Sequence, residues 1–430
     1  MSTLARHFVL WVLLVFAGAP AFAQVTTDSA AFRARAEGLV AVLQSQTKAD
    51  SFFAPSFLTH IPATQIEAIA AQLRAQNGAV IGVESITHVD ARSGVIVIGY
   101  EKALVTVNMT IDTTPPQQVI GLLIAAVKAR GDSADKVSED LRALPGNAGL
   151  LVTRLDDPNA KPVLGVSADQ RLAIGSGFKL WVLAEAVRSV QAGERTWRTV
   201  IPLGPPSTPS GILQEWPTAA PLTLHSLATL MISISDNSAT DTLLRALGRD
   251  KVGAMVGATG HGAPMQTLPL LTTVEMFALK MEANADVRQK WTAGSFAARQ
   301  SLLKANAARL TTQAIRGEEL ATGPRYIDQI EWFASPVDMA KTLDWLRRAK
   351  GSEARSIMAV NPGIAPGQAA RFAYVGYKGG SETGVIAMNL LIQTKTGAWY
   401  SVTGAWNNGA AAVDQAVFTA LISRAVDLIP

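Results

Sequence analysis

From about Val137 to Pro430, strand-forming runs stand at the two ends of the segment and helical stretches fill the middle. A chain with that distribution satisfies its backbone by assembling one sheet from both ends and packing a helical layer on it. Residues 149–155 and 162–166 read as a hairpin, and residues 370–378, 385–393 and 399–406 as three later strands. A terminal helix over 411–429 closes the chain. Upstream the rhythm differs. Helices are expected over 29–46 and 64–74. Four β-branched runs follow at 79–87, 94–100, 103–111 and 118–124, broken by Asp90-Ala91-Arg92-Ser93, Glu101-Lys102 and Thr113-Thr114-Pro115-Pro116. That is an antiparallel meander, a curved sheet wrapped on a helix. The polar stretch Ala129-Arg130-Gly131-Asp132-Ser133 ends it. The expected organisation is α+β, with a small unit over 24–130 and a larger one over 131–430.

The 430 residues are too many for one ordinary core and enough for two. With 48% hydrophobic and 17% charged residues the chain is globular rather than disordered. A formal charge of +4 with scattered Lys and Arg gives no footprint for nucleic acid. Arg6 and His7, an apolar run over 8–17 and the small-x-small site Ala21-Phe22-Ala23 read as a signal peptide cleaved after Ala23, placing the protein in the periplasm or outside the cell. The run is shorter than the ~20 residues a membrane span needs. The absence of cysteine removes lipid anchoring, thiol chemistry, disulfides and thiolate metal sites. His60, His88, His225 and His261 lack metal-ligand spacing, so no metal or cofactor is expected. Phe52, Phe53 and Phe57 read as core of the smaller unit, and the oligomeric state is not legible.

Three short elements carry chemistry. Ser-x-x-Lys sets both side chains on one helical face, where a neutral lysine can take the serine proton. The pattern occurs at Ser45/Lys48, Ser133/Lys136, Ser176/Lys179 and Ser301/Lys304. Only the third follows a strand-like run and a glycine, Leu172-Ala173-Ile174-Gly175, and precedes an apolar helix. Ser176 is thus expected at a helix N-terminus, whose free N–H groups favour an alkoxide and an oxyanion. The second element is Ser235-Asp236-Asn237, between a helix that Thr223 would cap and another that ends at Gly248. The third is Lys378-Gly379-Gly380, at the end of a strand, where two glycines let a ligand lie against the backbone. A literal Lys395-Thr396-Gly397 falls in a turn with one strand after it, and reads as a decoy.

In that order, Ser-x-x-Lys, Ser-Asp-Asn and Lys-x-Gly resemble the motifs of class A β-lactamases and penicillin-binding proteins. The resemblance covers about 137–430. It implies that Ser176 is acylated, Lys179 accepts its proton, Ser235 relays protons and Asn237 binds substrate. It further implies that Lys378 lowers the lysine pKa and attracts a substrate carboxylate. Gly379, Gly380 and Ser381 would line the substrate, with the Ser176 and Ser381 N–H groups as oxyanion hole. Glu382 follows and would shape charge preference.

Two departures qualify the resemblance. The interval between the second and third motifs is long, which implies an insertion, and the glutamate that activates the deacylating water in class A enzymes has no evident counterpart. Thr272 and Glu275 form a capping-box pattern, which makes Glu275 a cap. Glu318, Glu319 and Glu331 remain as candidate bases. Gly379 also replaces a hydroxyl residue, and the strand over 399–405 offers no arginine, so carboxylate recognition should be altered. The combination is similar to the β-lactamase-fold esterases encoded with clavulanic acid biosynthesis, whose N-terminal domain resembles a ketosteroid isomerase. The leading expectation is a hydrolase of β-lactam or ester small molecules. A D-Ala-D-Ala peptidase and a non-catalytic penicillin-binding sensor stand as alternatives.

Overall fold

The structure, a computed structural model, describes residues 30–430; the expected signal peptide lies outside the described residues. The chain separates into two compact units, one ending at Val127 and the other beginning at Lys128.

In the first unit the helices Ala30–Leu43 and Ala63–Asn77 precede the strands Val80–His88, Ser93–Tyr100, Ala103–Ile111 and Val119–Ala129, which form one sheet in sequence order. Alternation decides which face is buried. Ile96, Ile98 and Tyr100 point into the core from one strand, and Val105, Val107, Met109 and Ile111 from the next, against Phe32, Leu39 and Phe53. The Phe53 and Phe57 rings stack with centroids 4.9 Å apart. The fourth strand runs to Ala129 rather than stopping near 124, because no turn residue interrupts it before Gly131, which adopts φ +62°.

Near the start of the second unit Asp132 is held by the Arg424 guanidinium at 2.7 and 2.8 Å, and Ser133 caps the helix Ala134–Arg142 by accepting from Lys136 N. Its five-stranded sheet has the order Tyr374–Glu382, Val385–Gln393, Trp399–Asn407, Asn147–Arg154, Leu164–Val166, with every neighbouring pair antiparallel. The sheet is therefore built from both ends of the segment. Ala134–Arg142 and the terminal helix Gln415–Asp427 cover one face, burying Val137, Leu141, Phe418 and Ile422 against Leu150, Val402 and Ile392. The other face receives the helical layer, in which Lys179–Gln191 runs through the centre with Leu180 to Val187 buried. Val385–Gln393, covered on both sides, is apolar nearly throughout.

Two boundaries differ from expectation in ways that matter. The first late strand is Tyr374–Glu382, not 370–378, because residues 366–372 form a short helix and turn before Ala373 N bonds to Gln393 O. Lys378 thus stands in mid-strand, paired with Asn389, rather than at a strand end. The terminal helix begins at Gln415, where the Asp414 carboxylate accepts from Ala416 N and Val417 N.

Candidate active site

Ser176 lies on a single 3-10 turn, Gly175–Phe178, that feeds directly into the helix Lys179–Gln191. Gly175 takes φ +49°, a conformation that costs glycine little and turns the chain from strand to helix. Phe178 anchors the turn by stacking on Trp332, centroids 3.8 Å apart. Against this turn passes the edge strand Tyr374–Glu382. A Cβ at Gly380 would lie 2.5 Å from Ser176 N and 2.1 Å from Ile174 O, and one at Gly175 would lie 3.1 Å from Ser381 N. The two glycines let the Ser176 and Ser381 amides come together.

Lys179, the first residue of its helix, has no exposed surface. Its Nζ is 2.8 Å from Ser235 O, 2.7 Å from Asn237 Oδ1 and 3.0 Å from Ser235 Oγ. Burial first, then the nearby Lys378, push its pKa well below the ordinary lysine value, against the opposing pull of Asp241 and Asp236. A neutral amine has two N–H groups and one lone pair, and this environment matches it. Two contacts are pure acceptors, and the third is a hydroxyl that can donate.

Ser235 joins the helices Leu224–Ser233 and Asn237–Leu247 and holds φ +58°, in the left-handed region that non-glycine residues seldom occupy. The neighbouring Asp236 clamps it. Asp236 is fully buried and accepts from Ala239 N at 2.8 Å, Ile212 N at 2.7 Å and Leu213 N at 2.9 Å. The first of these caps the second helix, and Thr223 caps the preceding one by accepting from Ser226 N. Asn237 lines the cleft, yet its amide is largely engaged by Lys179 and by Thr208 O, leaving one Nδ2 hydrogen for a ligand.

Lys378 closes the cluster from the sheet. Its Nζ donates to Ser235 Oγ at 3.0 Å and to Gly379 O at 2.5 Å, and burial alone brings its pKa down to about 7. Ser235 Oγ is therefore shared between the two lysine amines. Ser176, Ser235, Asn237, Lys378, Gly379, Gly380 and Ser381 all line one cleft of about 480 Å³. Lys179 lies beneath it, behind Ser235. Among the described residues no hydrogen bond joins Ser176 Oγ to this cluster, and Ser176 lines the cleft.

Lys395-Thr396-Gly397 occupies the turn between the second and third sheet strands and takes no part in the cleft. The other Ser-x-x-Lys pairs also lie elsewhere; Ser133, for instance, only caps a helix. Glu275 completes the capping box with Thr272 and pairs with Arg249. Glu318 and Glu319 sit on the short helix Gly317–Ala321, with Glu319 tied to Arg325 and Glu282 N.

Glu331 is different. Buried on the cleft wall, it accepts from Trp332 N at 2.9 Å, while its Oε1 has no hydrogen-bond partner among the described residues. Lys280 Nζ stands 3.5 Å from it and binds Glu382 more closely. Burial, and then the Glu382 charge, raise the Glu331 pKa well above the carboxylate range, so it is largely protonated at neutral pH. Reading the sequence does not reveal the Glu331–Lys280–Glu382 cluster, whose members are far apart in the chain.

A model of the beta-lactamase enzyme family matches residues 132–358, just over half of the chain. Among solved structures, the chain is similar to a beta-lactamase from Sphaerobacter thermophilus, with 21% identity over 69% of this chain and 94% of that one and a TM-score of 0.48. It is similar to PBP-A at 16% identity, with 69% and 93% covered and a TM-score of 0.47. A beta-lactamase from Chitinophaga pinensis gives 16% identity, 68% and 96% coverage and a TM-score of 0.46. Comparison with curated proteins gives no match.

Proposed function

The chain belongs to the beta-lactamase enzyme family, and on that premise we propose that it is an exported serine hydrolase in which Ser176 is acylated by β-lactam or related ester substrates. The observation that carries the reading is the hydrogen-bonded run Lys378–Ser235–Lys179 beneath the Ser176 turn, with both amines buried and their pKa values depressed.

Ser176 Oγ attacks the substrate carbonyl carbon and forms the new C–O bond, and its proton passes to the neutral Lys179 amine. Ser176 Oγ and that amine close to hydrogen-bond distance when substrate fills the cleft. The carbonyl oxygen takes the negative charge and is held by the N–H groups of Ser176 and Ser381. As the C–N or C–O bond to the leaving group breaks, Ser235 gives that group its hydroxyl proton and regains one from the lysines on either side. Water then attacks the acyl-enzyme and returns Ser176. No metal or cofactor enters these steps.

Deacylation needs a base. Of the three glutamates considered, only Glu331 reaches the cleft, and it is mostly protonated near neutrality. That observation favours slow release of the acyl group, and with it the second reading, a D-Ala-D-Ala peptidase or a penicillin-binding sensor. Export rests on the first 23 residues; among the described residues no helix is long and apolar enough to cross a membrane. The ketosteroid-isomerase resemblance of the first unit is supported by its helix-backed sheet, which encloses an apolar cavity of about 200 Å³ lined by Leu39, Phe57, Ile66, Leu73, Val105 and Leu122.

Intact-mass spectrometry of the protein and of Ser176→Ala, mixed with a cephalosporin bearing a 3′-acetyl ester, tests the proposal. Substrate loss that requires Ser176 supports a hydrolase, with product masses separating ester from lactam cleavage. A persistent adduct at Ser176 supports the peptidase or sensor. The absence of both substrate loss and adduct would sink the assignment for this substrate class.

A further inference from the structure

Tyr377 and Gly379 lie on the same face of the edge strand, two residues apart, opposite the face on which Gly380 meets the Ser176 turn, and both residues line the cleft that wraps this edge. The space above Gly379 is not open. A Cβ there would fall 2.0 Å from Tyr377 Oη and 2.8 Å from its Cζ, so the phenol hydroxyl stands where a side chain at 379 would stand. A second glycine makes this possible. A Cβ at Gly363, which holds φ +67°, would fall within 2.3–2.5 Å of the Tyr377 ring, so the 361–363 turn is pressed against the ring and fixes it. The hydroxyl makes no hydrogen bond to any described residue, and Tyr377 lines the cleft. Thus a rigid ring delivers one unused O–H into the cleft from the position that a hydroxyl residue after Lys378 would otherwise serve.

Charge around this donor is scarce. Among the described residues lining the cleft, Lys378 is the one side chain able to carry a positive charge, and it is committed to Ser235 Oγ and Gly379 O. At the end of the same strand Glu382 stands on the wall, its carboxylate held by Lys280. A ligand carboxylate would lose its hydration here without gaining a full counter-charge, and such burial is costly. A neutral carbonyl or ester oxygen needs only a donor.

We propose that Tyr377 is the specificity-determining residue of the cleft, its hydroxyl donating to a neutral oxygen of the substrate next to the scissile bond, so that the site prefers uncharged esters or amides over carboxylates. The proposal rests on the assignment of this cleft as the substrate site. The phenol suits the task, because burial raises its pKa to about 12 and it remains a donor across the assay range.

The test uses a cephalosporin with a free carboxylate beside the lactam and the methyl ester of that carboxylate. Turnover is measured with the unmodified protein and Tyr377→Phe, and binding by calorimetry with Ser176→Ala and Ser176→Ala/Tyr377→Phe. The ester is expected to exceed the acid in kcat/KM and in affinity. Removing the hydroxyl is expected to lower the ester's value roughly 5–10-fold, the size of one neutral hydrogen bond, through KM, with little change for the acid and an unchanged melting temperature. An acid that binds as well as the ester or better, absence of binding by either, or an ester-to-acid ratio that Tyr377→Phe leaves unchanged would overturn it. Because binding is read on proteins without Ser176, the same ratio without turnover would sink the hydrolase reading and leave this one standing.

Discussion

Gly380 and the backbone nitrogen of Ser176 are packed so closely that a single added carbon at Gly380 would sit 2.5 Å from that nitrogen. The obstacle is backbone, so no rotamer change relieves it, and the edge strand and the Ser176 turn must part. Gly380→Ala is expected to separate the Ser176 and Ser381 amides and lower the rate of Ser176 acylation about 100-fold or more, the effect of losing one oxyanion donor. Stopped mass-spectrometric sampling of adduct formation checks this; an acylation rate within threefold of the unmodified protein would refute the close-contact account.

In the proposed mechanism Lys378 links activity to a stability cost. Its folded pKa is about 7, below the value near 10.4 of an unfolded lysine. Between those values the unfolded chain binds the extra proton, so this group makes stability rise as pH increases from about 7 to about 10. Below pH 7 both states are protonated and the full burial cost is present. Lys378→Met is expected to be more stable at pH 6–7 by about 1–3 kcal/mol, to lose this part of the pH slope, and to be nearly inactive. Denaturant titrations of both proteins at pH 6, 8 and 9.5 measure the difference.

Glu331 is expected to tolerate replacement by glutamine. Because its carboxyl is largely protonated at neutral pH, Glu331→Gln should change stability at pH 6.5 by less than about 1 kcal/mol. The acyl-enzyme tells more. If Glu331 is the base for deacylation, adduct decay accelerates as pH rises through its elevated pKa and its anionic form accumulates, and Glu331→Gln flattens that profile. Decay of the Ser176 adduct from pH 6 to 9 gives the answer, and identical profiles would remove Glu331 from the mechanism.

Asp236 holds three backbone N–H groups from two segments while buried completely. Asp236→Ala leaves those donors without a partner and frees the left-handed Ser235 beside it, at an expected cost of about 3–5 kcal/mol. Asp236→Asn, which keeps one acceptor oxygen, should cost less. Thermal unfolding orders the two variants, and equal melting temperatures would show that the clamp carries no load.

Much of the fold was legible because its signals are local. Strand runs at both ends of the second segment, the caps at Thr223 and Thr272 and the helix stop at Gly248 each depend on a few adjacent residues, and each has its counterpart in the structure. The strand holding Lys378 was misplaced by four residues, since Ala370 to Ala373 are as apolar as a strand but continue a helical turn instead. The three motifs were readable as words. Their convergence was not, for Ser176, Ser235 and Lys378 come from a turn, a helix junction and an edge strand that only packing brings together.

What the sequence determined by itself is which residue types are available and which local elements they favour. Tertiary structure decided their chemistry. Desolvation lowers the Lys179 and Lys378 pKa values and raises that of Glu331, and depends on atoms contributed from the whole second unit. The same holds for Tyr377, whose hydroxyl fills the space over Gly379 only because Gly363 lets a distant turn press on its ring. Proton affinity and excluded volume are properties of a three-dimensional neighbourhood, and sequence adjacency carries little of either.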